Sequence, residues 1–344
     1  MKAMVLDRNS SFTTHGGPLR LADVPVPEPG EGEVLIETYV CGVCHTELDE
    51  IEGRTPPSFY PIILGHQAVG RIVDTGHGVS KVKIGDRVGV AWIFSTCGKC
   101  EYCKTGKENL CDAFLATGRD VHGGYAEFMT APEKYVHPIP EFFSNAAAAP
   151  LLCAGAIGFR SLSLTNLQNG QNLGLMGFGA SAHLVLKLVR HKYPESKIFV
   201  FSRNLREQEF ALDLGATWAG HIAAPPPGKL HAIIDTTPAW KPVVEALGNL
   251  EKGGRLVINA IRKEEKDKEE LLQLSYPDHL WLEKEIKSVA NVTAGDVRAF
   301  LHLAAEAGIE PVVTEFPLNE ANAALRELKE GNTKGAKVLR IADS

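Results

Sequence analysis

The stretch "NLGLMGFGASAHLVLKLVRH" (172–191) gives the clearest indication of the fold, because a short apolar run passes through two glycines into a helical pattern. Its motif, Gly177-x-Gly179-x-x-Ala182, allows a tight turn and a close approach of the backbone to a pyrophosphate. The N-terminus of the next helix then offers free N–H groups to the phosphates. The motif therefore indicates a dinucleotide site, and the competing interpretation is an ordinary tight turn between a strand and a helix.

The segments after this motif repeat the same alternation of strand and helix. Apolar runs at 197–202, 231–237 and 254–260 are separated by helical patterns at 205–215 and 242–250. Runs that are apolar throughout are typical of strands in a parallel sheet covered by helices on both faces. We therefore predict a doubly wound, Rossmann-type domain in an α/β protein.

The first part of the chain has a different character. It is rich in Gly and Pro, and "EVLIETYV" (33–40), "AVGRIVDTG" (68–76) and "DRVGVAWI" (86–93) are typical of short strands bounded by turn residues. Helical patterns are sparse there, which predicts a β-rich, barrel-like domain. With 344 residues, the chain exceeds the roughly 250–300 residues at which a single core stops growing, so two domains are expected.

The second strand of the α/β part ends in "FSRNLR" (201–206), which contains no acidic residue. A carboxylate at this tip commonly accepts hydrogen bonds from the ribose hydroxyls of NAD and repels a 2′-phosphate. Ser202 and Arg203 stand there instead, and a guanidinium can bind that phosphate. The sequence therefore favours NADP(H), with NAD(H) still possible. The alternative is that Arg203 simply lies on the surface.

Composition and charge exclude several classes of function. Lys and Arg number 36 against 42 Asp and Glu, a net charge of −6, which argues against nucleic acid or an anionic membrane as the partner. The N-terminus "MKAMVLDRNS" lacks the apolar run of a signal peptide. No uninterrupted apolar segment approaches the ~18 residues of a spanning helix. We therefore expect a cytoplasmic protein without a membrane partner.

Four cysteines lie close together in "CGKCEYCKTGKENLC", namely Cys97, Cys100, Cys103 and Cys111. The total of seven cysteines is odd and the expected compartment is reducing, so a disulfide framework is not expected. Four thiolates on a short loop can surround one zinc ion tetrahedrally and leave no open position, which is characteristic of a structural site. An iron–sulfur cluster and a redox pair are the alternatives.

Three further candidate ligands are scattered along the chain. Cys44 ends a strand in "CGVCHTE", His66 precedes a strand in "LGHQAVG", and Cys153 lies in "PLLCAGA", where the β-rich part meets the α/β part. Each of these residues alone is more often a packed core side chain than a metal ligand. The local sequence therefore leaves open whether the three act together.

Taken together, these segments resemble the zinc-dependent alcohol dehydrogenases of the medium-chain dehydrogenase/reductase superfamily. The likeness runs almost from end to end and rests on "GVCHTE", "LGHQAVGRIVDTG", "IGDRVGV", the four-cysteine segment, "GGYAEF", the surroundings of Cys153 and "GFGASA". The subtype resembles the bacterial zinc-binding alcohol dehydrogenase branch. It also shares the acid-free strand tip with the NADP-using cinnamyl alcohol dehydrogenases.

The resemblance implies a domain layout and an activity. A GroES-like catalytic domain is expected over 1–154, with a structural zinc lobe at 95–113, called the cysteine lobe below. An NADP-binding Rossmann domain follows at 155–292, and a return segment at 293–344 completes the catalytic domain. The implied activity is hydride transfer between a nicotinamide cofactor and a small primary or secondary alcohol, or its aldehyde or ketone. A homodimer or homotetramer is expected.

By resemblance, Cys44, His66 and Cys153 become the ligands of a catalytic zinc, a Cys2His set known from alcohol dehydrogenases. Two zinc ions per chain are then expected. Thr46 takes the place of the hydroxyl that binds the alcohol and passes on its proton. His45 takes the place of a basic residue at the cofactor pyrophosphate.

Three positions depart from the family pattern. Gln67 follows the zinc-binding histidine where the family usually has Glu, so a negative charge beside the metal is missing. Asp49 stands at the position of the relay histidine and would accept the proton as a carboxylate. Thr55 stands where small-alcohol enzymes often carry Trp. The pocket, with Trp92 as its aromatic wall, is therefore expected to admit bulkier or aromatic alcohols.

Two other functions remain open on the same fold. A zinc-free quinone or enoyl reductase is disfavoured, because it would need neither the Cys and His set nor the cysteine lobe. A non-catalytic or redox-sensing zinc protein is compatible with Gln67 and Asp49. A count of two zinc ions per chain favours the enzyme, and a count of one indicates the lobe alone.

Overall fold

The computed structural model describes residues 1–12, 17–331 and 334–342, and the chain divides into two compact units. The first unit comprises Met1–Ala156 and Val292–Ser344, and the second comprises Ile157–Asn291. The chain therefore leaves the first unit and returns to it in its C-terminal part.

The elements of the described residues are numbered here in chain order. The strands are β1 (Lys2–Leu6), β2 (Leu19–Asp23), β3 (Glu33–Val43), β4 (Ile62–Ile63), β5 (Ala68–Thr75), β6 (Arg87–Val90), β7 (Ile93–Ser95), β8 (Leu115–Ala116), β9 (Phe128–Pro132), β10 (Val136–Pro138), β11 (Leu173–Met176), β12 (Ile198–Phe201), β13 (Trp218–Gly220), β14 (Leu230–Asp235), β15 (Leu250–Ile258), β16 (Glu285–Ser288), β17 (Val313–Pro317) and β18 (Ala336–Arg340). The α-helices are α1 (His45–Ile51), α2 (Glu101–Lys104), α3 (Asn145–Pro150), α4 (Ala156–Thr165), α5 (Ala180–Lys192), α6 (Leu205–Asp213), α7 (Lys241–Asn249), α8 (Ala294–Glu306) and α9 (Ala321–Lys329). Short 3-10 or π turns lie at Glu108–Leu110, Glu133–Tyr135, Leu151–Gly155, Lys268–Gln273, Tyr276–Leu280 and Leu318–Glu320.

The first unit is built around β3, the central strand of its largest sheet. The order of that sheet is β10-β6-β5-β3-β18-β17, and β9 also pairs with β3. β18 comes from the C-terminal part of the chain and runs antiparallel to β3, with Val338 opposite Gly42. A smaller sheet has the order β2-β1-β4, and the short pair β7 and β8 forms the base of the cysteine lobe. Ile36, Ile72 and Met129 belong to the buried core between these strands.

The second unit contains one parallel sheet with the order β13-β12-β11-β14-β15-β16. Its central strands read LGLM and IFVF and are buried along their whole length, as expected of strands covered on both faces. This is the 3-2-1-4-5-6 order of a Rossmann domain, with β11 as its first strand. The predicted fold class, α/β with a β-rich domain and a doubly wound parallel sheet, is confirmed.

One helical run is long and apolar, although no segment of the sequence was expected to approach the length of a membrane-spanning helix. The helical turns from Asn145 to Thr165 cover 21 residues, and the apolar window within them has a mean hydropathy of 1.4, enough by length and composition alone to cross a membrane. However, 61% of the apolar window is buried inside the protein, which is typical of a core helix. Within this run, residues Leu151–Gly155 form a π-helical turn that contains Cys153.

Candidate metal centres and cofactor site

Three different elements of the first unit bring Cys44, His66 and Cys153 together. Cys44 is the N-cap of α1 directly after β3, His66 precedes β5, and Cys153 lies in the π turn. One potential ligand atom from each residue lies within 4.8 Å of the others, and His66 Nε2 is 3.2 Å from Cys153 Sγ. Zn–S bonds of about 2.3 Å and Zn–N bonds of about 2.0 Å place tetrahedral ligand atoms roughly 3.5–3.8 Å apart. The donor set therefore fits a zinc ion.

Glu47 supports this centre, although the sequence analysis did not assign it a role. Its Oε1 lies 2.6 Å from His66 Nδ1, and its Oε2 accepts a hydrogen bond of 2.8 Å from the Cys44 N–H. The carboxylate thus holds Nδ1 as the donor and leaves Nε2 free for a metal, an arrangement common around histidine ligands. The signal in the sequence was the capping spacing, since Glu47 is the third residue of the helix that Cys44 caps.

The environment of Cys44 favours the thiolate, which is the form that binds metals. A hydrogen bond from Cys153, helped by His66, lowers the pKa of Cys44 well below its ordinary value despite burial. Cys41 is not part of this donor set. Its Sγ lies against Gly65, beside the Tyr125 ring, so Cys41 is part of the packed core.

The cysteine lobe forms a second donor set. The Sγ atoms of Cys97, Cys100, Cys103 and Cys111 lie within 4.8 Å of one another, and those of Cys97 and Cys103 are 4.0 Å apart. Backbone N–H groups of Lys99 and Cys100 lower the pKa of Cys97 to about 6. Four thiolates at this separation fit a tetrahedral ion with a closed coordination shell.

The two residues of the predicted proton pathway, Thr46 and Asp49, both lie on α1. Thr46 Oγ1 lies 3.6 Å from Cys44 Sγ, close to the donor set. Asp49 is buried and accepts a 2.6 Å hydrogen bond from Arg54 Nε, so its carboxylate is held in an ion pair. His45 is the exposed first residue of α1.

Of the two predicted pocket residues, Trp92 lies against the donor set. Its ring packs edge-on against His66 with centroids 5.0 Å apart, and the Arg119 guanidinium lies 5.5 Å from the Trp92 ring. Arg119 was missed by the sequence analysis, because no local motif identifies a cation stacked on an aromatic wall. The Thr55 N–H donates to the Asp49 carbonyl at 3.1 Å, which ties Thr55 to α1.

Glu50 is an unusual feature of α1. Both of its carboxyl oxygens are buried and have no hydrogen-bond partner among the described residues. Burial, and then the charge of Glu47, raise the pKa of Glu50 well above its ordinary value. Burial within α1 therefore disfavours the charged form of this side chain.

In the second unit, the glycine motif has the conformation that a dinucleotide site requires. Gly177 follows β11 with a φ of +82°, and a Cβ there would lie 2.8 Å from Thr236 Oγ1. Gly179 caps α5, and a Cβ on it would meet no atom within 4 Å, so open space lies before the helix N-terminus. Ala182 is fully buried beneath this turn. These features fit a pyrophosphate at the start of α5.

The tip of β12 contains a carboxylate that the sequence analysis did not expect there. Ser202 Oγ donates to Glu207 Oε2 at 2.5 Å and accepts from the Asn204 N–H at 3.1 Å. Glu207 reaches the tip from the first turn of α6. Arg203 is exposed and has no hydrogen-bond partner among the described residues. The tip therefore combines the exposed guanidinium of Arg203 with a carboxylate bound to a hydroxyl.

Comparisons with known proteins agree with this geometry. Residues 30–141 match the family described as alcohol dehydrogenase GroES-like domain. The chain is 42% identical over 330 residues to a probable alcohol dehydrogenase, AdhA, of Mycobacterium tuberculosis (strain CDC 1551 / Oshkosh), covering 94% of this chain and 93% of that protein. A cinnamyl alcohol dehydrogenase from Sorghum bicolor is 26% identical with a TM-score of 0.82, covering 98% of this chain and 97% of that one. A cobalt- and zinc-bound thermostable alcohol dehydrogenase from Pyrobaculum aerophilum, 22% identical with 99% of both chains covered, shares the fold with a TM-score of 0.85.

Proposed function

Because this chain belongs to the zinc-dependent alcohol dehydrogenases of the medium-chain dehydrogenase/reductase superfamily, we propose that it transfers a hydride between an alcohol and NADP(H) at a zinc held by Cys44, His66 and Cys153. The observation that carries this proposal is the convergence of these three donors around one point, with Glu47 behind His66. A second zinc ion is proposed in the cysteine lobe.

Several residues of the chain have separate proposed roles at the catalytic centre. When bound, zinc supplies a Lewis acid that lowers the pKa of an alcohol hydroxyl and polarises a carbonyl. Glu47 fixes the tautomer and orientation of His66. We propose that Thr46, whose Oγ1 lies 3.6 Å from Cys44 Sγ, hydrogen-bonds the substrate oxygen and passes on its proton. Trp92 packs against His66 and would exclude water from one side of the substrate.

The cofactor proposal rests on the balance of charge at the tip of β12. Arg203 is exposed and free to bind a 2′-phosphate, which favours NADP(H). Glu207 would oppose that preference, because its carboxylate is hydrogen-bonded to Ser202 at the strand tip proposed to receive the phosphate. We therefore expect NADP(H) to be preferred by a modest factor, with NAD(H) also accepted.

The substrate proposal is an alcohol or aldehyde larger than ethanol. Thr55 in place of a pocket-narrowing Trp, and Trp92 as the aromatic wall, support benzyl- or cinnamyl-type substrates. We expect higher kcat/KM for benzyl or cinnamyl alcohol than for ethanol. Ethanol turned over far better than either aromatic alcohol would refute this substrate class.

We also propose a homo-oligomer in the cytoplasm. Among the described residues, β16 pairs only with β15, so its other edge is open. Exposed apolar side chains lie on β16 and in the segment before it, namely Tyr276, Trp281, Leu282 and Ile286. An open edge with an apolar surface is suited to pairing with a second copy of the chain. Dimer or tetramer mass in light scattering would support this state, and a monomer would contradict it.

The proposed function is tested by counting metal and measuring turnover on the same protein. Two zinc ions per chain and oxidation of NADPH with an aldehyde panel are expected, with slower oxidation of NADH. One zinc ion per chain and no turnover with either cofactor would instead support a non-catalytic zinc protein. Cys153→Ser should remove one zinc ion and the activity, and Cys103→Ser serves as the comparison for the lobe.

A further inference from the structure

We infer that the cysteine lobe, when it holds its metal, positions two of the three catalytic-zinc ligands, and that Glu108 is the positioning residue that links the lobe to Cys153. This inference rests on the proposed function, since it takes the zinc assignments from there. All of the residues involved belong to the first unit.

The first contact joins the lobe to α8. Glu108 is buried in the short turn just before Cys111, and its Oε1 accepts a 2.9 Å hydrogen bond from the Ala294 N–H. Ala294 is the first residue of α8, where N–H groups have no partner within the helix. A buried carboxylate at this end also interacts favourably with the helix dipole. The position of Glu108 and the position of α8 therefore depend on each other.

The second contact joins α8 to the turn that carries Cys153. Phe300, in the middle of α8, is 1% exposed and packs on the π turn. A Cβ at Gly155 would lie 2.1 Å from a ring carbon of Phe300, so the ring lies directly against the backbone there. Gly155 is two residues after Cys153 in the same turn. A shift of α8 would therefore displace the Cys153 thiolate.

A second route leads from the base of the lobe to His66. The strands β7 and β8 pair through Ile93 and Ala116, and the Thr117 N–H donates to the Trp92 carbonyl at 2.9 Å. The Trp92 ring then packs edge-on against His66. A lobe closed around a metal keeps these two strands paired, which fixes Trp92 against the histidine.

The physical basis of the coupling is metal-dependent folding of the lobe. Four thiolates at these separations are stable together only around a cation, and a bound ion closes a loop that has few buried apolar side chains of its own. Loss of the lobe metal would therefore loosen both Cys153 and His66. Contiguous contacts of this kind typically change the binding at one site by a modest factor when the other site is altered.

The experiment measures how fast each zinc leaves the holoenzyme in the presence of an excess of a chromophoric chelator. Cys103→Ser and Cys153→Ser assign the two phases of release to the lobe and to the catalytic centre. Glu108→Ala is expected to accelerate release from the catalytic centre about tenfold. Glu108→Gln keeps an oxygen that can accept the Ala294 N–H and is expected to restore a nearly wild-type rate. Glu101→Ala, an exposed acidic residue of the same lobe, is the matched control and should change neither phase.

The outcomes separate this inference from the proposed function. If the wild type holds two zinc ions and Glu108→Ala releases the catalytic zinc at the wild-type rate, the coupling is refuted and the proposed function stands. If the wild type holds no zinc at Cys44, His66 and Cys153, both fail. Should Glu108→Ala not fold, Phe300→Leu tests the contact between α8 and the turn that carries Cys153. An unchanged rate of release of the catalytic zinc in Phe300→Leu would then refute the coupling.

Discussion

Protonation of His137 is expected to destabilise the first unit in mild acid. His137 lies on β10, is 2% exposed, and its Nδ1 has no hydrogen-bond partner among the described residues. Burial, together with the nearby charge of Arg298, lowers the pKa of His137 to about 3. Between pH 3 and 6.5 the folded state therefore binds fewer protons at this site than the unfolded state, so stability falls as the pH falls below about 6.5.

The size of the effect follows from this difference in proton binding. Taking about 6.5 for the unfolded chain, lowering the pH from 7.5 to 5.0 removes about 2 kcal/mol from the free energy of unfolding. For a unit of roughly 200 residues, that corresponds to a fall in Tm of roughly 4–8 °C attributable to this histidine. His183, on α5 of the second unit, has a pKa lowered to about 4 by burial and adds a similar effect there.

The test compares wild type with His137→Leu by calorimetry at pH 7.5 and 5.0. Leucine cannot titrate, so the variant should lose about 2 kcal/mol less than wild type over this range. Loss of metal affinity in acid and the effect of His183 occur in both proteins and cancel in the comparison. His77→Leu, at an exposed position, should behave as wild type. An equal fall in Tm for wild type and His137→Leu would refute the reasoning.

Three further predictions concern acidic residues near the two sites. Glu50→Gln should raise the free energy of unfolding by about 1–3 kcal/mol at pH 8 and by little at pH 4. The reason is that the raised pKa of Glu50 makes folding take up a proton above about pH 4.5, which glutamine does not require. If urea unfolding gives the same difference in stability between the two proteins at both pH values, this prediction is wrong. Glu207→Gln should lower the Kd for NADPH about three- to tenfold in fluorescence titration and leave the Kd for NADH nearly unchanged, because it removes a negative charge near the proposed 2′-phosphate site. Glu209→Gln, on the same helix, is the control. Equal changes in the Kd for both cofactors would count against the prediction. Asp49→His should add a limb near pH 6.5 to the pH profile of alcohol oxidation, and a profile identical to wild type would remove Asp49 from the proton pathway.

The sheet of the second unit could be predicted because its central strands are apolar along their whole length. β11 and β12 lie between layers of helices, so burial on both faces leaves a continuous apolar run in the sequence. β16 was missed, because its residues EIKS are all exposed and form no apolar pattern. Its place is set by pairing with β15, which is tertiary information.

The candidate site was predictable only where its residues are neighbours in sequence. The lobe cysteines form a local pattern, whereas His66 and Cys153 are 87 positions apart and were joined only through the family resemblance. The strand tip was interpreted as free of acid, but the Glu207 carboxylate reaches Ser202 from the following helix. The pairing of Asp49 with Arg54 also depends on how α1 and the loop after it fold back.

The π-helical turn at Leu151–Gly155 has a consequence for how such proteins can lose their metal site during evolution. A π turn corresponds to an α-helix with one residue inserted, and such turns often occur at functional sites. Loss of a single codon for Leu151 or Leu152 would restore a regular helix and rotate Cys153 by about 100° relative to the preceding helix. A descendant could thus lose a metal ligand while Cys44, His66 and Cys153 all remain in its sequence. Gene comparisons that score only the presence of ligand residues would overlook such a loss.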